Sequence, residues 1–178
     1  MLEAAAQILR DEGAAAVTAR RLAEHVGLGR HIVHYYFGTI EDLFVALMRE
    51  EGQRTEDWLK EAAETEDALD LLWESSWNSA PIIQELTNLA IRHPEMAKEY
   101  KLYTERFRET MAGILTLYAQ KRGIVLPGSA MATAMMLQSV ACTIAIESRL
   151  DIAMGHNEAA GALMSWLKNT LEPAPPTA

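Results

Sequence analysis

The sequence predicts an all-α protein: an N-terminal three-helix domain of the helix-turn-helix kind, followed by a larger helical body. Three observations predict it. Apolar residues recur three and four positions apart along nearly the whole chain. Glycines and prolines fall between these stretches, where helices must start or stop. No pair of alternating segments flanks a tight turn, so there is no β-hairpin signal. The 178 residues, 49% of them hydrophobic, suffice for a small domain joined to a larger one.

Leu2, Ala5, Ala6, Ile8 and Leu9 form the apolar face of a first helix, and Gly13 is placed to end it in the left-handed conformation. Thr18 is a good N-cap for a second helix, Ala19–Val26, with Leu22, Ala23 and Val26 turned inward. Gly27-Leu28-Gly29 makes a tight break before a short third helix, Arg30–Tyr36, whose Val33 shares a buried side with Phe37. After Gly38, Thr39 caps a fourth helix. Glu41 and Asp42 favour its first turn, and Leu43, Phe44, Leu47 and Met48 supply its apolar face. Trp58, Leu59, Ala62 and Ala63 continue one pattern. Thr65-Glu66-Asp67 starts another helix, carrying Leu69, Leu72, Trp73 and Trp77. Pro81 suits the first turn of a further helix ending near His93, and Pro94 opens a long one through Lys121-Arg122, stopped by Gly123. Pro127-Gly128-Ser129 introduces a helix that runs to about Leu150. Gly155-His156-Asn157 separates it from a last helix ending near Leu171. Glu172–Ala178, with three prolines, is expected to be disordered. The expected domains are residues 1–47, residues 48–172 and a tail, 173–178.

Ile124 to Ile146 is a run of 23 residues without a charge. Its alanines, with Thr133, Gln138, Ser139 and Thr143, suit a buried helix better than a membrane span, so no membrane partner is expected. A single cysteine, Cys142, excludes an internal disulfide and a multi-cysteine zinc site, and fits a cytoplasmic setting. With no basic, apolar leader at Met1, the chain is expected to be cytoplasmic. The residues three before the five histidines are Leu22, Leu28, His31, Ala90 and Ala153, so the Glu-x-x-His of helical di-metal enzymes is missing. Phosphate-loop, His-Glu-x-x-His and Gly-x-Ser-x-Gly motifs are missing too, and neither an enzyme nor a cofactor is expected.

Net charge is −9, but residues 17–38 carry Arg20, Arg21 and Arg30 against Glu24, a local +2. The basic charge is concentrated where two short helices flank a glycine-bearing turn. In a helix-turn-helix the first helix braces against the core and the second keeps one face free for the major groove. The outward positions of the third helix are Arg30, His31, Ile32, His34, Tyr35 and Tyr36, donors and aromatics suited to phosphate and base edges.

The run Val17-Thr18-Ala19-Arg20-Arg21-Leu22-Ala23-Glu24-His25-Val26-Gly27-Leu28 resembles the TetR-family stretch T-x-x-x-[IL]-A-x-x-x-G-[VL]. His34-Tyr35-Tyr36-Phe37-Gly38-Thr39-Ile40-Glu41-Asp42-Leu43 resembles its Y-Y-H-F-x-[ST]-K-E-x-L stretch. With the first helix, the match covers about a quarter of the chain. The resemblance implies a ligand-responsive repressor that binds double-stranded operator DNA as a homodimer. It implies that Thr18 and Arg20 touch phosphate or a base edge, that Arg30, His31 and Ile32 open the recognition helix, and that His34, Tyr35 and Tyr36 contact DNA further along. Tyr35 is the expected phosphate contact and Arg30 the expected base reader. This chain departs from the pattern at Gly29, where the family usually has Ser or Thr, at His31 and Ile32, and at Ile40, where it has lysine. Its first helix also begins at Met1, where relatives carry a preceding basic arm.

The same resemblance places an unidentified small-molecule effector in the helical body. Trp73, Trp77, Tyr103, Phe107, Met111 and Met135 are apolar groups suited to such a site, and Gln138 and Ser139 polar groups able to orient a ligand. The uncharged helix is apolar around most of its girth and needs burial on most sides. One side of it is therefore expected to face a second copy, and the resemblance implies that self-association uses the last two helices, at about 129–150 and 158–171, on a near-palindromic operator. The alternative is a helical ligand-binding or protein-interaction module with weak or lost DNA binding.

Overall fold

The computed structural model describes residues 1–62, 68–126 and 128–169. They form eight helices: α1 (Leu2–Glu12), α2 (Ala19–Val26), α3 (Arg30–Phe37), α4 (Ile40–Ala62), α5 (Ala68–Arg92), α6 (Pro94–Arg122), α7 (Ala130–Ser148) and α8 (His156–Asn169). A single 3-10 turn, Ala14–Ala16, links α1 to α2, and the described residues contain no strand, so the all-α expectation holds. The expectations for Ala63, for a helix start at Thr65-Glu66-Asp67, for Pro127 and for the chain beyond Asn169 lie outside the described residues.

The helix ends follow local chemistry. Thr18 Oγ1 accepts from Arg21 N–H at 3.1 Å and caps α2, and Gly27 closes that helix at φ 69°, ψ 29°. Thr39 and Asp42 form a reciprocal cap on α4: Thr39 N–H donates to Asp42 Oδ2 and Asp42 N–H to Thr39 Oγ1, at 3.1 and 3.0 Å. Ser129 Oγ accepts from Ala132 N–H and starts α7. Gly13 departs from expectation. Its φ is 83°, but ψ of 171° makes it an extended link into the 3-10 turn rather than a left-handed cap. His156 is the first residue of α8 rather than part of the preceding break.

Pro81 was expected to begin a helix. Instead it lies inside α5, which runs unbroken from Ala68 to Arg92. Proline removes an N–H and crowds the preceding turn. The carbonyl that the missing N–H would have met is that of Trp77; Ser79 Oγ–H and Cys142 Sγ–H both reach the neighbouring Ser76 O, at 3.3 and 3.5 Å.

The chain forms two compact units: Met1–Arg54 with Pro81–Glu105, and Thr55–Ala80 with the residues from Arg106 onward. The first has a core of Ala5, Ile8, Leu9, Leu22, Val33, Leu43, Leu47 and Met48, joined by Ile82, Leu86 and Met96. The second is built on Leu59, Leu69, Leu72, Phe107, Met111, Leu115, Leu137 and Leu167. In the second unit α7 buries Thr133, Ala134, Leu137, Ala141, Ile144 and Ala145. Its other side exposes Ala132, Met135, Met136, Ser139 and Thr143, none of them charged. By length and composition alone α7 could cross a membrane, a test that the core helix of a water-soluble bundle also passes.

Burial pushes the Cys142 thiol up to about 11. At pH 8 the thiolate is then roughly one part in a thousand. Alkylation by iodoacetamide is expected to be slow at pH 8 and to rise tenfold per pH unit until the thiol titrates. In denaturant the reaction should accelerate sharply, because an unfolded thiol titrates near pH 8.5. Because the folded value is raised, ionisation in the unfolded state lowers stability as pH climbs from about 8.5 toward 11.

Candidate nucleic-acid interface

α3 buries Val33 and little else. Phe37 and Ile32 are half-buried, while Arg30, His31, His34, Tyr35 and Tyr36 are exposed. Tyr35 is 82% exposed and Tyr36 65%, with the two rings edge to face at 5.4 Å. Tyrosines are ordinarily half-buried, so two adjacent rings held out from a short helix are a surface prepared for contact. Thr18 and Arg20, at the start of α2, are also exposed. The Thr18 oxygen is engaged as a cap acceptor, which leaves its O–H free to donate.

The charges sort into used and unused. Arg21 is bound bidentately to Glu12 of α1, with Nε and a terminal nitrogen at 3.1 and 2.6 Å from the carboxylate. That hydrogen bond holds the Glu12 carboxyl below its ordinary value and raises Arg21. Arg21 therefore braces the first unit and is not a spare cation. Arg20 lies 3.9 Å from Glu24 on the same exposed helix, a weak pair. Arg30 pairs with no carboxylate among the described residues. It heads α3, beside backbone N–H groups that have no intrahelical acceptor.

Two departures from the family pattern, Gly29 and His31, are coupled. A Cβ at Gly29 would meet His31 Cε1 at 2.6 Å and Nδ1 at 2.8 Å. The imidazole fills the space a capping side chain would use, so a larger residue at 29 requires the ring to swing away. At the other end, His34 Nδ1 lies 3.4 Å from Gly38 O, and Gly38 closes α3 at φ 54°, ψ −67°. Thr39 N–H donates back to Phe37 O across this γ-turn. A Cβ at Gly38 would lie 3.2 Å from Asp42 Oδ2. Gly38→Ala is therefore expected to cost about 1–3 kcal/mol, read as a lower urea midpoint with an unchanged slope.

Residues 1–47 match the family model described as "Bacterial regulatory proteins, tetR family". Solved structures extend the likeness in fold to nearly the whole chain. A TetR transcription regulator from Haloarcula marismortui superposes with a TM-score of 0.73 at 19% identity, covering 96% of both chains. A putative transcriptional regulator from Saccharomonospora viridis, in complex with choline, gives 0.77 at 17% identity, over 96% of this chain and 94% of that one. FadR from Bacillus subtilis, in complex with stearoyl-CoA, gives 0.67 at 15%, over 96% and 97%. No curated protein matches the chain. The matched segment holds all eight residues expected to meet DNA, and seven of them are exposed, Ile32 being half-buried.

The expected effector residues are less unified. Phe107 and Met111 are buried in the second core, with Trp73 packed against it, and Trp77 and Gln138 are half-buried. Met135 and Ser139 face outward on α7. Tyr103 lies in the first unit, where it packs so close to α4 that a Cβ at Gly52 would be 2.9 Å from its Cδ2. Two features escaped the sequence reading. His156 Nε2 meets Glu147 Oε2 at 2.7 Å, clasping the α7–α8 connection. Arg108 of α6 is half-buried and lies against Gln138.

Proposed function

We propose that this chain is a ligand-responsive, sequence-specific DNA-binding repressor, not an enzyme, acting in the cytoplasm as a homodimer on a near-palindromic operator. The observation that carries the reading is the exposed face of α3, where Arg30, His31, His34, Tyr35 and Tyr36 are open to solvent over a helix anchored by Val33. In this reading residues 1–47 bind DNA. Arg30 pairs with a guanine, Tyr35 holds a phosphate, Ile32 packs on a thymine methyl, and Thr18 and Arg20 meet the backbone.

Residues 48–172 bind the effector and the second copy. The uncharged outer side of α7 supports the dimer, together with exposed Ala159, Ala162 and Ser165 of α8. Small and apolar side chains of this kind let helices of two copies pack closely. A twofold axis there sets two recognition helices one DNA turn apart, ~34 Å. The Saccharomonospora regulator holds choline and the Bacillus one stearoyl-CoA, so helical bodies of this shape accommodate small molecules. An effector that favours another spacing of the two heads weakens DNA binding, and DNA reciprocally weakens the effector.

The second reading, a helical binding module that has lost DNA binding, draws on the scarcity of free cations: Arg21 is tied to Glu12, and Ile40 stands where the family has lysine. Fluorescence anisotropy with DNA from upstream of the gene separates the two. A repressor binds that DNA in preference to a shuffled duplex, and binds it more weakly as salt rises. Equal, weak binding to both duplexes favours the module.

A further inference from the structure

Among the described residues of the second unit, Arg108 is a partly buried charged group that the fold does not explain. It is half-buried on α6, on the same stripe as Met111 and Leu115, which are fully buried. Its Nε donates to Gln138 Oε1 at 3.5 Å, the long limit of a hydrogen bond, and it pairs with no carboxylate among the described residues. Arg21, Arg49 and Arg54 each reach a glutamate. A guanidinium carries five donors in a planar fork, and one long contact to a neutral amide leaves most of them without a protein acceptor. Partial burial weakens hydration of the charge, and no neighbouring anion among the described residues offsets that loss.

The surroundings are apolar with a narrow polar seam. Phe107 and Met111 are buried beside Arg108 along α6, and Trp73 of α5 packs against the same core. α7 contributes Gln138 and, one turn further, Cys142, whose thiol reaches Ser76 O of α5. The 138/142 row of α7 thus faces both α5 and α6.

We propose that Arg108, with Gln138, binds the carboxylate of a small amphipathic acid whose apolar body lies on the Trp73–Phe107–Met111 side. The inference rests on the effector site proposed above and names its chemistry. The guanidinium fork matches a carboxylate with two parallel hydrogen bonds, and the Gln138 amide can donate to the same group. One cation neutralises one charge, so the ligand is a monoanion rather than a phosphate dianion.

The test uses the full chain in calorimetric titrations and thermal melts. The probes are three acid–amide pairs: octanoate and octanamide, phenylacetate and phenylacetamide, indole-3-acetate and indole-3-acetamide. Octyl phosphate and octyltrimethylammonium complete the set. At least one acid is expected to bind ~10-fold or more tightly than its amide. That acid should raise Tm, octyl phosphate should bind more weakly than octanoate, and the ammonium should not compete. In Arg108→Met the acid preference disappears while the ligand-free Tm stays equal or rises, because an uncompensated charge has been replaced by an apolar group. Arg108→Lys keeps the charge without the fork and should retain only part of the preference. The proposal is overturned if no acid outbinds its amide up to about 1 mM, if Arg108→Met or Arg108→Lys keeps the full preference, or if octyl phosphate outbinds octanoate. Operator binding is measured on the same ligand-free samples. Its loss in the unmodified chain contradicts the repressor reading, whereas the acid preference is read without DNA.

Discussion

Arg30→Ala is expected to weaken binding to the cognate operator by on the order of 10- to 100-fold per half-site, the equivalent of about 1–3 kcal/mol for a lost bidentate base contact. The effect should be selective. Arg30 is exposed and makes no ion pair among the described residues, so its removal leaves the fold alone and the Tm should move little. Affinity for shuffled DNA should fall far less, because a base contact contributes mainly to the cognate sequence. Tyr35→Phe separates the second role. It keeps the ring and deletes the O–H, so a phosphate donor is lost with no change in packing. Binding should then weaken by a similar factor on cognate and shuffled duplexes alike. Arg21→Ala should behave in the opposite sense. It breaks the bidentate pair with Glu12, so it acts on the bracing of α2 against α1 rather than on a DNA contact. Size of effect, dependence on sequence and change in Tm together distinguish the three residues.

Ser139→Arg is expected to turn a dimer into a monomer. Ser139 lies at the middle of the uncharged outer side of α7, between Met135 and Met136 on one turn and Thr143 on the next. A twofold interface through that face brings the introduced charge near its own copy and strips both of water, which a packed apolar contact does not tolerate. The monomer should elute later in size exclusion with unchanged helical circular dichroism. Operator affinity should drop by about 100- to 10,000-fold, because two half-site contacts joined in one molecule become two independent ones. The change removes no DNA contact. Loss of binding together with loss of the dimer would therefore mark the α7 side as the element that sets half-site spacing.

The N-terminal half of the account was legible because its punctuation is local. Thr18, Gly27, Thr39 and Asp42 cap or close helices through groups within four residues of one another, so the pattern in sequence is the mechanism in space. Pro81 was misread for the complementary reason. Ala80 and Ile82, on either side of it, are both buried, and burial rests on residues far away in the sequence rather than on local punctuation. The effector residues were chosen by residue type, and type does not report side. Met135 and Ser139 carry the right chemistry but face outward, whereas Gln138, between them, turns in. Arg108 was overlooked because charged residues are read as solvent-facing. The available signal was its place in the Arg108–Met111–Leu115 stripe, an inward row that a guanidinium has no structural reason to join. The coupling of Gly29 with His31 was visible only as two separate anomalies, since the ring's position over the glycine depends on a rotamer.

The central claim is that the exposed face of α3 reads a specific sequence from two copies of the chain. Footprinting on DNA from upstream of the gene, with the unmodified protein and Arg30→Ala side by side, tests it most directly. The account predicts one protected region with two related half-sites whose centres lie about one helical turn apart. Protection by Arg30→Ala should need on the order of 10-fold more protein or higher. Uniform protection along the duplex, or the same protected region at the same concentration with Arg30→Ala, would contradict it.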